Sequence, residues 1–139
     1  MRHSITINLS LMSSTISEGV SVIVDSFYQP EYSNPVAGEY IFAYRISIEN
    51  TNHFPVKLHR RHWFIFDSNG EKREVEGEGV VGVQPVINPG EKYQYVSGCT
   101  LKTELGRMSG TYLMENINQQ KNFDVTIPAF DLIVPFKNN

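Results

Sequence analysis

Tyr40-Ile41-Phe42-Ala43-Tyr44-Arg45-Ile46-Ser47-Ile48-Glu49-Asn50 decides how the rest of the chain is read. Tyr40, Phe42, Tyr44, Ile46 and Ile48 recur at every second position, with Ala43, Arg45, Ser47 and Glu49 between them. Side chains two apart lie on one face of a β-strand, so this segment is a strand with one apolar and one more polar face. The same period extends outward along the chain. Val20, Val22 and Val24 alternate with Ser21, Ile23 and Asp25, and Tyr93 and Tyr95 with Lys92 and Gln94. Met108 to Met114 and Phe123 to Ile127 look similar, and Phe130, Leu132 and Val134 continue the pattern after Pro128. No segment sustains a 3.6-residue period. Trp63-Phe64-Ile65-Phe66 is apolar on both strand faces. That predicts a strand covered on both sides, by the N-terminal arm, a loop or a second subunit, or a bulge that shifts its register.

Turn chemistry separates the runs. Asp67-Ser68-Asn69-Gly70 is a hairpin signal, because Asn and Gly tolerate positive φ. Asn88-Pro89-Gly90-Glu91 places Pro and Gly in turn order. Gly106 and the polar stretch Asn116 to Asn122 are read as two further connections. Several short strands at this spacing define a β-sandwich or a barrel. The 139 residues make one domain, large enough to fold without a metal or disulfide. With 40% hydrophobic and 19% charged residues the chain is not disordered.

The net charge of −3 disfavours nucleic acid as a partner. The one cysteine, Cys99, rules out an intrachain disulfide and fits a reducing compartment. At the N-terminus Ile5, Ile7, Leu9 and Leu11 alternate with polar residues, so the apolar stretch of a secretory signal is missing. No run approaches the ~18 apolar residues of a membrane span. The expectation is a soluble cytoplasmic protein without membrane insertion. An alternating arm can add to its own sheet or to a neighbour's, and the second case gives a homodimer.

Gly77-Glu78-Gly79-Val80-Val81-Gly82 matches G-x-G-x-x-G. A dinucleotide site needs a helix after the motif. Here Val83-Gln84-Pro85-Val86-Ile87-Asn88-Pro89-Gly90 follows, and two prolines exclude one. Three readings remain. The loop is shaped by glycine to cross between sheets, with Val80, Val81 and Val83 anchoring it in the core. Or its amides form an anion nest, against the crowding of Glu74, Glu76 and Glu78. Or it is presented to a partner. Burial of Val80 and Val81 decides: exposure supports a partner contact, burial an architectural role.

Lys57-Leu58-His59-Arg60-Arg61-His62-Trp63 is the densest cationic stretch. Strict alternation puts His59, Arg61 and Trp63 on one face and Arg60 and His62 on the other, which splits the cluster. One arginine is expected to pack on an aromatic ring or pair with a carboxylate. His59 and His62, three apart, fall on opposite faces and form no local metal chelate. No other metal-ligand spacing occurs. Cys99 reads as a small packed residue, with no histidine near it in sequence to activate it. The eleven glutamates make any one carboxylate pair uninformative. No catalytic residue, metal ligand or cofactor is assigned.

One ordered series is more specific than any single motif. It runs from Tyr40-Ile41-Phe42-Ala43-Tyr44 through Ile48-Glu49-Asn50 and Arg61-His62-Trp63 to Val75-Glu76-Gly77-Glu78-Gly79-Val80-Val81-Gly82-Val83-Gln84-Pro85. Pro89-Gly90-Glu91, Tyr93-Gln94-Tyr95, Ser97-Gly98, Gly106, Met108, Gly110, Tyr112 and Met114 complete it. This series, spanning roughly Val20 to Pro135, resembles the ApaG family. The resemblance implies an all-β, fibronectin type III-like or immunoglobulin-like sandwich. It also implies a link to cobalt and magnesium homeostasis in bacteria and a role in protein interaction in larger proteins. It supplies no catalytic residue. His59 departs from the family pattern, where leucine is common, and residues 1–15 precede the shared segment.

The resulting expectation is an arm over residues 1–15 and a sandwich over 16–139. The domain is read as a non-enzymatic interaction module with a protein partner. Its contact surface is expected to combine Gly77, Gly79, Val80, Val81 and Gly82 with Arg61, His62 and Trp63. The alternative is a small-anion binder, for phosphate or pyrophosphate, or a divalent-cation binder, using the same loop. If the basic Lys57–His62 and acidic Glu71–Glu78 segments pair across Asn69-Gly70, their charges compensate and leave no patch.

Overall fold

Alternation in the sequence becomes alternation in burial along nine strands. The structure, a computed structural model, describes residues 11–135. The strands are β1 (Leu11–Ser17), β2 (Val20–Tyr28), β3 (Tyr40–Asn50), β4 (Val56–Asp67), β5 (Lys72–Glu78), β6 (Val86–Ile87), β7 (Lys92–Leu101), β8 (Leu105–Asn116) and β9 (Lys121–Ile133). Two single 3-10 turns lie between β2 and β3, and the described residues contain no α-helix. All pairings between strands are antiparallel. One sheet runs β1-β2-β3-β7 and the other β5-β4-β8-β9, with β6 on the edge of β4. The protein is therefore an all-β sandwich.

The apolar faces meet in one core. Val20, Val22, Val24, Phe42, Tyr44, Ile46 and Ile48 come from the first sheet, and Trp63, Ile65, Met108, Tyr112, Met114, Phe130 and Leu132 from the second. Trp63 makes edge contacts with Tyr44 and Phe130, with ring centroids 5.4 and 5.9 Å apart. Asn50 is the core's fully buried polar side chain. Its amide donates to Phe54 O at 2.8 Å and Ile87 O at 2.9 Å, and its Oδ1 accepts from Asn52 N at 3.0 Å. Every polar end is thus matched, as burial demands.

The hairpin at Asn69-Gly70 joins β4 to β5, with Gly70 N donating to Asp67 O at 2.9 Å. At the Pro89-Gly90 turn Glu91 N donates to Asn88 O at 3.0 Å. Gly106 is not a connection; it lies inside β8. A Cβ there would stand 2.5 Å from Phe66 O and 2.6 Å from a Leu101 methyl, so glycine marks a close approach. The turn proper is Lys102–Glu104, tied down by Asp67, whose carboxylate accepts from Lys102 N at 2.7 Å and from Thr103 Oγ1.

The two lateral edges of the sandwich differ. On one side β1 leans on β9. Thr15 Oγ1 donates to Thr126 O at 2.8 Å, and Thr126 N donates to Ser17 Oγ at 3.0 Å. On the other side β5 and β7 are both terminal strands, and no strand of the described residues bridges them. Of the arm expected over 1–15, residues 11–15 belong to β1. The rest, on which an arm-exchanged homodimer depends, lies outside the described residues.

Candidate functional site

Strand β4 carries the local irregularity that builds the site. Its pairing with β8 slips between Leu58 and Arg60. Such a bulge adds one residue and reverses which side chains face inward. Val56 and Leu58 point into the core before it; Trp63, Ile65 and Asp67 do so after it. This corrects the placing of His59 on one face with Arg61 and Trp63. Leu58 is buried, and His59 bonds Glu115 through Nε2 at 2.7 Å, on the outer side. The bulge lies before the Trp63–Phe66 run, which keeps plain alternation. Trp63 and Ile65 are buried, and Phe64 and Phe66 remain 45% and 42% exposed, so the run is not covered on both sides.

The glycine motif occupies the gap that the bulge opens. The edge of β4 pairs with β6 at Val56 and Lys57 and with β5 from Arg60 onward. Between these the chain makes an excursion over residues 79–85. Gly79 N donates to His59 O at 2.8 Å, and Leu58 N donates to Pro85 O at 3.0 Å. Val80 and Val83 close the loop through reciprocal backbone bonds of 2.8 and 3.0 Å. Gly79 has φ +64, and a Cβ there would meet Val83 O at 2.1 Å, so only glycine fits. The valines divide: Val80 is fully buried, whereas Val81 is 63% and Val83 47% exposed. One anchor was expected from all three; Val80 alone provides it. Val81 also sits at φ +48, a backbone state that β-branched residues rarely hold.

With the amides of Gly79, Val80 and Val83 engaged, the loop turns carbonyl oxygens toward a cation. Arg61 Nη1 donates to Glu78 O at 3.0 Å and to Gly79 O at 3.1 Å. Gly77 makes room for it: a Cβ there would stand 2.7 Å from Nη1 and 2.8 Å from Nη2. The motif therefore holds a guanidinium. Of the two expected partnerships for an arginine of this stretch, a ring or a carboxylate, the carboxylate is not found: Arg60 and Arg61 form no ion pair among the described residues, and the hydrogen-bond partners of Arg61 are carbonyls.

The basic β4 and acidic β5 segments do meet, on the outer face. His62 Nε2 lies 2.8 Å from Glu74 Oε1 and Nδ1 lies 3.6 Å from Glu76 Oε1, with the ring stacked on Phe64 at 4.4 Å. The inner face is different. There β5 presents Arg73, Val75 and Gly77 opposite Ile65, Trp63 and Arg61. Arg73 reaches across to β7, where Nη2 donates to Thr100 O at 2.7 Å and lies 3.5 Å from Cys99 Sγ. Between the two terminal strands lies a cleft of about 420 Å³. Arg61, Trp63, Ile65, Arg73 and Val75 form one wall, Val96 to Thr100 the other, and Val81 sits at the rim. No carboxylate lines it.

The titratable floor of this cleft is held in its neutral form. Burial pushes the Cys99 thiol above its ordinary value, although Arg73 opposes this. Burial likewise raises the hydroxyls of Tyr44, Tyr95 and Tyr112, against the weaker pull of Arg61. Tyr95 and Tyr112 hydrogen-bond each other through their hydroxyls. The structure thus brings Arg61, Trp63, Gly77, Gly79 and the 80–82 segment together around one cleft and sends His62 to the opposite face. Arg73 joins the site from β5, the strand that leads into the loop, and Val96 and Cys99 join it from β7, a strand that sequence reasoning did not connect with the loop.

A two-sheet β-sandwich with one edge left open around an arginine-lined cleft is the class of protein that fold and site define. The family model for the ApaG domain matches residues 30–116. The chain is 47% identical to Protein ApaG of Anaeromyxobacter dehalogenans over 124 residues, covering 89% of this chain and 97% of that protein. It is 44% identical to Protein ApaG of Brucella canis, covering 89% and 95%. The crystal structure of an ApaA protein from Bordetella pertussis superposes with a TM-score of 0.81 at 42% identity, covering 85% of this chain and 95% of that one. The chain belongs to the ApaG domain family. No helix among the described residues is long and apolar enough to cross a membrane.

Proposed function

We propose that this domain is a non-enzymatic interaction module whose contact surface is the open β5/β7 edge and the Val81 loop. The observation that carries the reading is Val81 itself. It is 63% exposed, so it adds little to the core, and it occupies a left-handed backbone position. That conformation costs a non-glycine residue roughly 1–2 kcal/mol. Strain of this kind collects at binding and switch segments. Val96 on β7, 60% exposed, extends the same apolar rim. Neither feature helps the isolated fold, and both suit a partner protein's surface.

The non-enzymatic part rests on what lines the cleft. Its one thiol, Cys99, is buried and held protonated, and among the described residues no histidine lines the cleft beside it to act as a base. A divalent-cation site gains no support from a cleft with two arginines and no carboxylate. Any connection to cobalt or magnesium homeostasis would run through the partner. The small-anion reading is favoured by the same two arginines, with the guanidiniums and not the loop amides as donors.

The test is co-purification from the native host with the full chain and with Val81→Asp. Wild type is expected to retain a stoichiometric protein that Val81→Asp loses while keeping its unfolding midpoint. Equal retention by both proteins would remove the loop from the interface, and an absence of any retained protein would count against the module itself.

A further inference from the structure

We infer that the β5/β7 cleft takes an extended acidic segment of a partner protein, with two carboxylate side chains four residues apart and an apolar residue midway between them. This deepens the interaction reading above and rests on it.

The first ground is charge. The chain carries fifteen acidic residues and a net charge of −3, yet the cleft is lined by two arginines and no Asp or Glu. Neither Arg61 nor Arg73 forms an ion pair among the described residues. Arg61 spends Nη1 on two carbonyls, and Arg73 spends Nη2 on one carbonyl and the Cys99 sulfur. The other guanidinium nitrogens of both have no partner among the described residues. Arg61 is half-buried and Arg73 exposed, and a charged donor without a counter-charge gains from a carboxylate that fits it, most where it is partly out of water.

The second ground is spacing. In the β4/β5 register Arg73 stands opposite Ile65, and Arg61 stands opposite Gly77, whose missing side chain its guanidinium replaces. The two charged positions on the inner face of β5 are thus 73 and 77. Four residues of extended chain span about 13 Å. An extended segment repeats the same face every second residue, so side chains at i and i+4 match both arginines. The side chain at i+2 then falls against Val75 and Trp63, the apolar middle of the wall.

The third ground is the backbone. Both flanking strands end their sheets and leave one edge of main-chain groups without a neighbouring strand. Peptides that add to such edges take affinity from main-chain bonds and specificity from alternate side chains.

The test is selection from a displayed library of random eight-residue peptides on the full chain. Bound peptides are then titrated against wild type, Arg61→Gln, Arg73→Gln and the charge-keeping Arg61→Lys and Arg73→Lys, with amide shifts mapping the site. Selected peptides are expected to carry acidic residues at i and i+4 with an apolar residue at i+2. Each Gln variant should weaken them about tenfold or more, with partial recovery in Lys. Unfolding midpoints of the variants separate lost binding from lost fold. Peptides that shift cleft amides but lack the paired acids, or ignore both arginines, would overturn this inference and leave the interaction reading standing. Peptides that bind elsewhere, or none at all, would overturn both. Inorganic pyrophosphate producing the same cleft shifts and displacing every peptide would reassign the site to a small anion.

Discussion

Replacing each glycine of Gly77-Glu78-Gly79-Val80-Val81-Gly82 by alanine separates what the three do. At Gly82 a Cβ meets nothing within 4 Å, but φ is +78. The left-handed backbone then costs alanine roughly 1–2 kcal/mol. Reduced freedom of the unfolded chain returns about 0.4–1 kcal/mol, so Gly82→Ala should lose about 1 kcal/mol. Gly79→Ala carries the same backbone cost and a Cβ 2.1 Å from Val83 O. The loop must open, which breaks the reciprocal Val80–Val83 bonds at about 1 kcal/mol each. It also withdraws Val80, whose burial stabilises by roughly 1.5–3 kcal/mol. A loss on the order of 4–6 kcal/mol follows, a large share of a typical domain's roughly 5–15 kcal/mol. At Gly77 no positive φ applies, and the new methyl meets only the movable end of Arg61. Gly77→Ala should stay within about 1 kcal/mol of wild type, while the Arg61 guanidinium resonances shift as it leaves the Glu78 and Gly79 carbonyls. Urea unfolding followed by the fluorescence of Trp63, the chain's one tryptophan, reads all three. Gly79→Ala no worse than Gly82→Ala would refute the anchoring role of Val80. Gly77→Ala as the most damaging of the three would refute the arginine berth.

Val81→Asn should leave stability unchanged or raise it by up to about 1 kcal/mol, since asparagine accepts the left-handed state and Val81 buries little; a clear loss in thermal unfolding would show that Val81 packs. Tyr95→Phe should cost about 1–3 kcal/mol by leaving the Tyr112 hydroxyl buried without its partner, and Tyr95→Phe/Tyr112→Phe should cost less than the sum of the single changes. Stability should fall as pH rises above the ordinary thiol and phenol values of 9.0 and 10.0. The native Cys99 and the buried tyrosines keep their protons there while the unfolded chain releases them, so the unfolded state binds fewer protons and is favoured. Urea titrations between pH 8 and 11 check this, and the Tyr95→Phe/Tyr112→Phe protein should show a shallower fall.

The strands were legible because one face of each is buried, and burial writes a period of two into the sequence. Tyr40 to Asn50 shows this most cleanly, and the Asn69-Gly70 and Pro89-Gly90 turns were legible from local backbone chemistry. Three readings failed where the cause lies between strands. Gly106 resembles a turn residue, but it is glycine because Phe66 and Leu101 press on it from two other strands. His59 was given the face of Arg61 because alternation carries no mark of a bulge. Phe64 and Phe66 seemed to need cover, yet they stay half-exposed beside His62 and the β5 carboxylates. The loop and Arg61 could be named as candidates from local pattern alone. β7 could not, because its proximity to the loop and to Arg73 follows from sheet order, which sets strands distant in sequence side by side.

The two edges of the sandwich are finished differently. Threonine and serine side chains bind β1 to β9, so closing an edge lies within this fold's means. At the other edge Lys72, Glu74, Glu76 and Glu78 put charge along β5, a device that keeps bare strands from pairing indiscriminately. Lys92 is the one charged residue of β7, and Val81 and Val96 are left exposed at the cleft rim. The inner positions of β5, which elsewhere in the sandwich would be aliphatic, read Arg73, Val75 and Gly77. Apolar side chains at 61 and 73 would fill the cleft and spare the half-buried Arg61 a position without a counter-charge. Stability alone therefore does not account for two guanidiniums held by carbonyls across an unfilled gap. A partner that brings its own carboxylates does account for them. On that reading the glycine motif serves the arginine side chain: Gly77 leaves room for the Arg61 guanidinium, the loop carbonyls fix it, and β5 carries the second charge.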